Sequence, residues 1–364
     1  MNICLIGKNI SNLLLAKTLD NQGIYFDLFY SDKNNLSKME TRTIGITEDN
    51  INFISSNIKN LKNYSWNVDN IKIYTESDIN YETLNFNSEK KFHFAIIKYS
   101  NLYKLLERNL KKSKNFKTFF VSKKKINQIM QNKKYDLIIN SDFKNQISKK
   151  YFYQKYSKNY NSTAYTTIIN HKLCKNKSAA QIFTKFGPLA FLPISKKKTS
   201  LVFSIENKYS DVNFNNVSKL IKHYNKKYII KNFENIENFE LKFSTLRKYY
   251  FKNIVCLGDN LHQVHPLAGQ GFNMTMRDIK MLSSLIDEKI ELGLDLDNSL
   301  FYDFQKKTKH LNYTFGLGVD FIYEFFKIDN KTNNFISNSV FRILGKNKFL
   351  NKYANLFADK GINI

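Results

Sequence analysis

The stretch 251–286, FKNIVCLGDNLHQVHPLAGQGFNMTMRDIKMLSSLI, constrains the fold more than any other part of the chain. An apolar run stops at Gly258-Asp259, a loop carrying Pro266, Gly269 and Gly271 follows, and Phe272, Met276, Ile279, Leu282 and Ile286 then recur on one helical face. A buried strand feeding a helix through a glycine-rich loop is the building unit of a parallel sheet, and such sheets bind ligands at the carboxyl ends of their strands. The first thirty residues have the same character: NICLIG as a continuous apolar strand, SNLLLAKTLDNQG as a helix stopped at Gly23, then IYFDLFY. Parallel-sheet units at both places imply one nucleotide-binding domain assembled from separated pieces.

Between them, FHFAIIKYSNLYKLLERNL (92–110) looks like a strand running into a helix, and YDLIINSD (135–142) like another buried strand. From 163 to 206 the pattern changes. TAYTTIINHKL, AAQIFTKF, PLAFLPI and SLVFSIE are short β-branched and aromatic runs with turn-like breaks, the pattern of antiparallel hairpins. The expected class is therefore α/β: a discontinuous, Rossmann-like three-layer domain over 1–75, 95–150 and 245–290, an inserted antiparallel-sheet domain over 76–94 and 151–244, and a C-terminal helical region over 291–364.

Composition removes several alternatives. The chain has 364 residues, 42% of them hydrophobic, enough to bury a large core. Its net charge of +26 invites a nucleic-acid partner, but only five of the 57 basic residues are Arg and the lysines are scattered. Bidentate phosphate and base recognition favours Arg, so no nucleic acid is expected. Three cysteines are too few for a disulfide framework and fit a reducing compartment. There is neither a signal-peptide pattern nor an apolar run long enough to span a bilayer, so a cytoplasmic protein, at most peripheral on the inner face of a membrane, is expected. Residues 321–357 are basic and aromatic, and read either as an amphipathic membrane-surface helix or as a helical layer on the sheet.

A flavin needs partners for its ribityl hydroxyls, backbone donors at its pyrimidine edge and positive potential where reduction places negative charge. The segment offers each: Asp259 at a strand end, Gly269 and Gly271 for close backbone approach, the positive N-terminus of the following helix, and Pro266 to stiffen the loop. Asp259, His262 and His265 are also spaced like metal ligands, but that alternative leaves Pro266, the glycines and the helix without a purpose, and no metal is assigned.

Gly258, Asp259, His262, Pro266, Gly269, Gly271, Asn273, Arg277 and Asp278 together resemble the Gly-Asp motif of the para-hydroxybenzoate-hydroxylase-type flavin monooxygenases, and within them the ubiquinone-biosynthesis hydroxylases. TRTIGIT with Arg42 and FTKFGPLAFLPI resemble further stretches of that family. The resemblance implies FAD as cofactor, NAD(P)H as reductant, O2 as co-substrate, and hydroxylation of a polyprenyl phenol through a flavin C4a-hydroperoxide. It implies cofactor contacts from Gly7, Arg42, Gly258, Asp259, Pro266, Gly269, Gln270, Gly271, Phe272 and Asn273, and a substrate surface of Pro188, Leu189 and Phe191. No acid or base is singled out, His265 and Pro266 being the nearest catalytic candidates. Peripheral membrane contact and a quinone-biosynthesis protein complex are the further partners it suggests.

The pattern breaks at the N-terminus. Gly-x-Gly-x-x-Gly becomes Gly7, Asn9, Asn12, Tyr30 stands where an acid usually holds the adenosine ribose, and the family's Asp-Gly motif becomes Asp142-Phe143. These losses leave a second function open, that of a weak or inactive member serving as accessory or scaffold in a quinone-synthesis assembly. Otherwise they concentrate flavin affinity at the isoalloxazine and ribityl end.

Overall fold

A computed structural model describes residues 2–32, 39–79, 82–87, 94–129, 134–209 and 214–329. The first half runs β1 (Ile3–Ile6), α1 (Ile10–Asn21), β2 (Phe26–Tyr30), β3 (Thr43–Thr47), α2 (Glu48–Asn57), β4 (Ser65–Val68), β5 (Asn70–Thr75), β6 (Leu84–Asn87), β7 (Phe94–Lys98), α3 (Tyr99–Leu110), β8 (Phe116–Phe120), α4 (Lys123–Ile129), β9 (Leu137–Asn140) and α5 (Gln146–Tyr151). It continues with β10 (Lys155–His171), β11 (Ser178–Thr184), β12 (Gly187–Pro193), β13 (Lys198–Glu206), α6 (Phe214–Tyr224), β14 (Ile230–Phe233), β15 (Glu237–Leu246), β16 (Tyr250–Phe251), β17 (Ile254–Cys256), β18 (His262–Gln263), α7 (Gln270–Glu291) and α8 (Asn298–Asp329).

The uninterrupted apolar runs become a sheet buried on both faces. Its order is β16-β17-β9-β1-β2-β8, parallel from β17 to β8, with β16 added antiparallel at the edge. Every residue of β1, β9 and β17 is buried, which is why these strands lack alternation. Residues 254–256 lie beside 138–140, so the two distant strand-to-helix units of the sequence share this one sheet.

The second large sheet runs β18-β15-β10-β13-β12-β11-β5-β6, with β14 also on β10, and β10 to β13 form the antiparallel hairpins expected between 163 and 206. Strand β5 pairs parallel with β11, so this sheet takes in residues 70–75, ahead of the boundary expected at 76. A small sheet, β3-β7-β4, lies beside it. Side chains alternate across the large sheet. One face presents Tyr160, Ala164 and Phe183 to Phe315, Val319, Tyr323 and Phe326 of α8. The opposite face presents Ile169, Ile182, Leu189, Phe191, Leu201 and Phe203 to Val217, Ile221 and Tyr224 of α6.

Of the basic aromatic stretch at 321–357, residues up to Asp329 continue α8, and 330–364 lie outside the described residues. No described helix is long and apolar enough to cross a membrane.

Candidate active site

The loop after β17 is shaped by close contacts. Gly258 has φ +66, and a Cβ added there would stand 2.6 Å from Ser11 Oγ of α1. Gly269 also has φ +66, with the backbone N of Gly45 in β3 only 3.1 Å from such a Cβ. Both positions therefore require glycine for conformation and for space. Holding 258 against α1 and 269 against β3 brings the starts of α1 and α7 and the end of β17 together at the carboxyl edge of the parallel sheet. Between two buried neighbours, Asp259 is exposed. Asn260 instead points inward and donates to Asn140 O at 3.1 Å and Ser148 Oγ at 3.0 Å.

Tyr99, at the start of α3, sits where these pieces meet. Its N–H donates to Arg42 O at 2.9 Å, and the Arg42 guanidinium lies 5.3 Å from its ring centroid. Its hydroxyl oxygen faces the Ile10 N–H at the start of α1. Burial pushes this phenol up to about 12, with Arg42 pulling it down and Asp259 raising it further. Tyr99 was missed in the sequence, although it follows a buried strand directly and so occupies the same kind of strand-end position as Asp259.

The expected cofactor residues divide by what their side chains are free to do. Asp259 and Arg42 are near Tyr99, and Pro266 opens the turn that leads to Gly269 and α7. Gly7, with φ +101, lies against Ser141 and Asp142. Gln270 is buried as the first residue of α7, and Gly271 is in ordinary contact with Val264. Phe272 packs its ring on the main core. The Asn273 side chain is committed to the protein: its Oδ1 accepts from Thr47 N at 3.1 Å and Asn50 Nδ2 at 3.0 Å, while its Nδ2 donates to Gly45 O at 2.9 Å. What Phe272 can offer a ligand is its backbone at a helix start, where first-turn N–H groups lack intrahelical acceptors.

The expected substrate surface is corrected by strand alternation. Leu189 and Phe191 are buried beneath α6, on the face turned away from His265. Pro188, directly across from Phe183, faces the other way and lines a cavity of about 230 Å³ with Phe183, Tyr323 and Phe326. The run PLAF suggests one shared surface, but a strand sends consecutive residues to opposite ones.

The two loop histidines have different surroundings. His262 Nε2 is 2.6 Å from Asp278 Oδ2, both side chains being 1% exposed, and Asn312 Nδ2 donates to Asp278 Oδ1 at 2.8 Å. This ties β18, α7 and α8 together. His265 is 1% exposed, and among the described residues neither ring nitrogen has a hydrogen-bond partner. Its ring stacks on Tyr323 at 4.3 Å and meets Tyr160 edge-on at 5.1 Å. Burial lowers its pKa to about 3, so it is a neutral imidazole. Arg277 lies 4.5 Å from the Phe315 ring centroid, its pKa lowered by burial and partly restored by Asp278. Among the described residues no three His, Cys, Asp or Glu side chains are placed to hold a metal.

These residues fit a flavin at one end. An exposed carboxylate, a guanidinium, a helix N-terminus and glycines held against neighbouring backbone supply the donor set that a ribityl chain and an electron-accepting ring require.

Comparison with known proteins agrees. The FAD binding domain family matches residues 166–291. Ubiquinone biosynthesis monooxygenase COQ6 of Dictyostelium discoideum is 33% identical over 100 residues, 27% of this chain and 19% of that protein. COQ6 of Caenorhabditis elegans is 21% identical over 215 residues, 47% of this chain and 48% of that protein. Ubiquinone hydroxylase UbiL of Rhodospirillum rubrum is 25% identical over 145 residues, 37% of this chain and 33% of that protein. Over these stretches the chain is similar to the FAD-dependent hydroxylases of ubiquinone biosynthesis. Its matches span less than half the length of each of these three relatives. The likeness in fold is broader: PqsL of Pseudomonas aeruginosa, a probable FAD-dependent monooxygenase, superposes with TM-score 0.72 at 12% identity, covering 94% of this chain and 99% of that one. For p-nitrophenol 4-monooxygenase PnpA of Pseudomonas putida the TM-score is 0.74 at 9% identity, covering 100% and 98%.

Proposed function

We propose that this protein is a ubiquinone-biosynthesis hydroxylase that hydroxylates a phenolic ring bearing a polyprenyl chain, using FAD, NAD(P)H and O2. The observation that carries the proposal is the meeting of Asp259, Arg42 and the starts of α1 and α7 around Tyr99 at the carboxyl edge of the parallel sheet. Bound FAD, once reduced by NAD(P)H, supplies the activation of O2.

The chain's own residues bind, orient and exclude water. Asp259 accepts hydrogen bonds from the ribityl hydroxyls. Arg42 and the N–H groups of Gly271 and Phe272 in the first turn of α7 stabilise negative charge at the pyrimidine edge, and Pro266 forms a rigid wall beside the ring. The α8 side chains Phe315, Val319, Tyr323 and Phe326 close the inner face of the large sheet, making a dry, apolar surrounding for an electron-rich phenol. His265 stays neutral there and accepts a hydrogen bond from the phenol hydroxyl.

Exposed apolar residues on α8, Tyr313, Leu317, Phe321 and Ile328, together with the net charge of +26, support docking of this protein beside an anionic membrane, where a polyprenyl substrate resides.

The test is NAD(P)H oxidation by the FAD-reconstituted protein with and without a short-chain prenyl phenol, with mass spectrometry of the product. Phenol-stimulated oxidation with one oxygen atom added to the ring is expected. Oxidation indifferent to the phenol, with no oxygenated product, refutes the proposal.

A further inference from the structure

The degenerate glycine loop is filled, and by the chain's own polar groups. Asn9 caps α1: its Oδ1 accepts from Asn12 N at 3.2 Å. Its Nδ2 reaches across to the end of β9, donating to Ser141 Oγ at 2.9 Å and Ser141 O at 3.1 Å. Asn12 is fully buried and donates from Nδ2 to Ile6 O and Gly7 O, both at 2.9 Å. A second acceptor at the start of α1 comes from Tyr99, whose hydroxyl oxygen faces the Ile10 N–H. Two of the first three N–H groups of α1 therefore already have acceptors within the protein, and Asn9 spans the gap between the β1 and β9 strand ends.

Those groups are the ones a dinucleotide diphosphate uses. A glycine at the second motif position lets the backbone approach the diphosphate, and the helix N-terminus then supplies free N–H groups to its oxygens. Here a side chain occupies the approach. The nearby cation is also engaged: Lys8 Nζ is 2.6 Å from Glu107 Oε1 and lies 5.0 Å from the centroid of Tyr30, the residue that replaces the ribose-binding acid. Asp32, two residues beyond, is exposed and 3.7 Å from Lys123.

We propose that the Asn9–Ser141 staple closes the diphosphate approach, so that this chain holds its flavin by the ring and ribityl end and discriminates little between FAD and FMN. The inference rests on the flavin site proposed above and specifies which part of the cofactor that site reads. It also assigns a role to the two asparagines: they keep the β1–α1 turn intact without a ligand. Asn9 supplies the cap and Asn12 satisfies the carbonyls at the end of β1, work that glycines leave to the bound cofactor.

The test is titration of the full-length apoprotein with FAD and with FMN, followed by quenching of flavin fluorescence, for wild type, Asn9→Gly and Ser141→Ala. For wild type the two dissociation constants should agree within about tenfold. Asn9→Gly frees the Asn12 N–H and opens the approach while keeping a tolerated cap residue, so its preference for FAD over FMN should rise by about tenfold or more, the value of a hydrogen bond to a charged oxygen. Ser141→Ala, which leaves the cap untouched, should move the preference in the same direction by less, and it serves if Asn9→Gly does not fold. A wild-type preference for FAD above tenfold, or variants with an unchanged preference, overturns the inference and leaves the flavin site standing. Failure to bind either flavin overturns both.

Discussion

Acid should destabilise this protein through His265 in a way one substitution removes. The imidazole is 1% exposed between Tyr160 and Tyr323, and burial lowers its pKa from 6.5 to about 3. In the unfolded chain it titrates near the ordinary value, so between pH 6.5 and pH 3 the unfolded state binds one proton that the folded state refuses. The stability contributed by keeping this histidine neutral is complete above pH 6.5 and is lost as pH falls through that window. A gap of about 3.5 units at about 1.4 kcal/mol each amounts to about 5 kcal/mol at pH 3, and to about 2 kcal/mol between pH 7 and pH 5. Urea unfolding at pH 7 and pH 5 measures it, with His265→Phe as the reference that keeps a ring in the stack but has nothing to protonate. Other titrating groups act on both proteins and cancel in the comparison. Wild type should lose about 2 kcal/mol more than the variant on going to pH 5. Equal losses would refute the buried placement of His265.

Asp278→Ala should destabilise the protein by about 3–5 kcal/mol in urea unfolding, because it strands His262 Nε2 and the Asn312 amide in a buried site joining three elements; Asp278→Asn should cost less, since Asn312 keeps an acceptor, and equal costs would count against the shared node. In vesicle flotation, wild type should rise with anionic but not neutral liposomes and Phe321→Asp, at a position 69% exposed, should rise less; no flotation of wild type removes the membrane part of the proposed function.

What was legible in the sequence follows from how strongly each segment's burial is written in it. Strands buried on both faces, such as ICLI and LIIN, are continuous apolar runs and were readable as a parallel sheet. The loop from Gly258 to Gly271 was readable because two of its glycines are forced by contact with Ser11 and Gly45. The first half of β10, KYSKNYNS, was not: it is largely exposed and polar, and its pairing with β15 is broken by a register shift between Asn159 and Thr163. Facing also escaped notice at PLAF, where alternation separates Pro188 from Leu189 only once the partner layers α6 and α8 are known. Tyr323 and Tyr99 were invisible for a related reason, since nothing local marks which tyrosine a distant loop will meet. The asparagines at 9 and 12 were seen as losses, and the compensating bonds to Ser141 and Ile6 depend on strand neighbours far along the chain.

The central claim, that flavin is held where β17 ends, is tested most directly by the visible absorption of the protein after FAD reconstitution and gel filtration, wild type beside Asp259→Ala. Asp259 is exposed in the turn after β17, so the variant should fold as wild type does yet elute without the flavin's blue absorption band, while wild type retains it. A variant that stays as yellow as wild type contradicts the account.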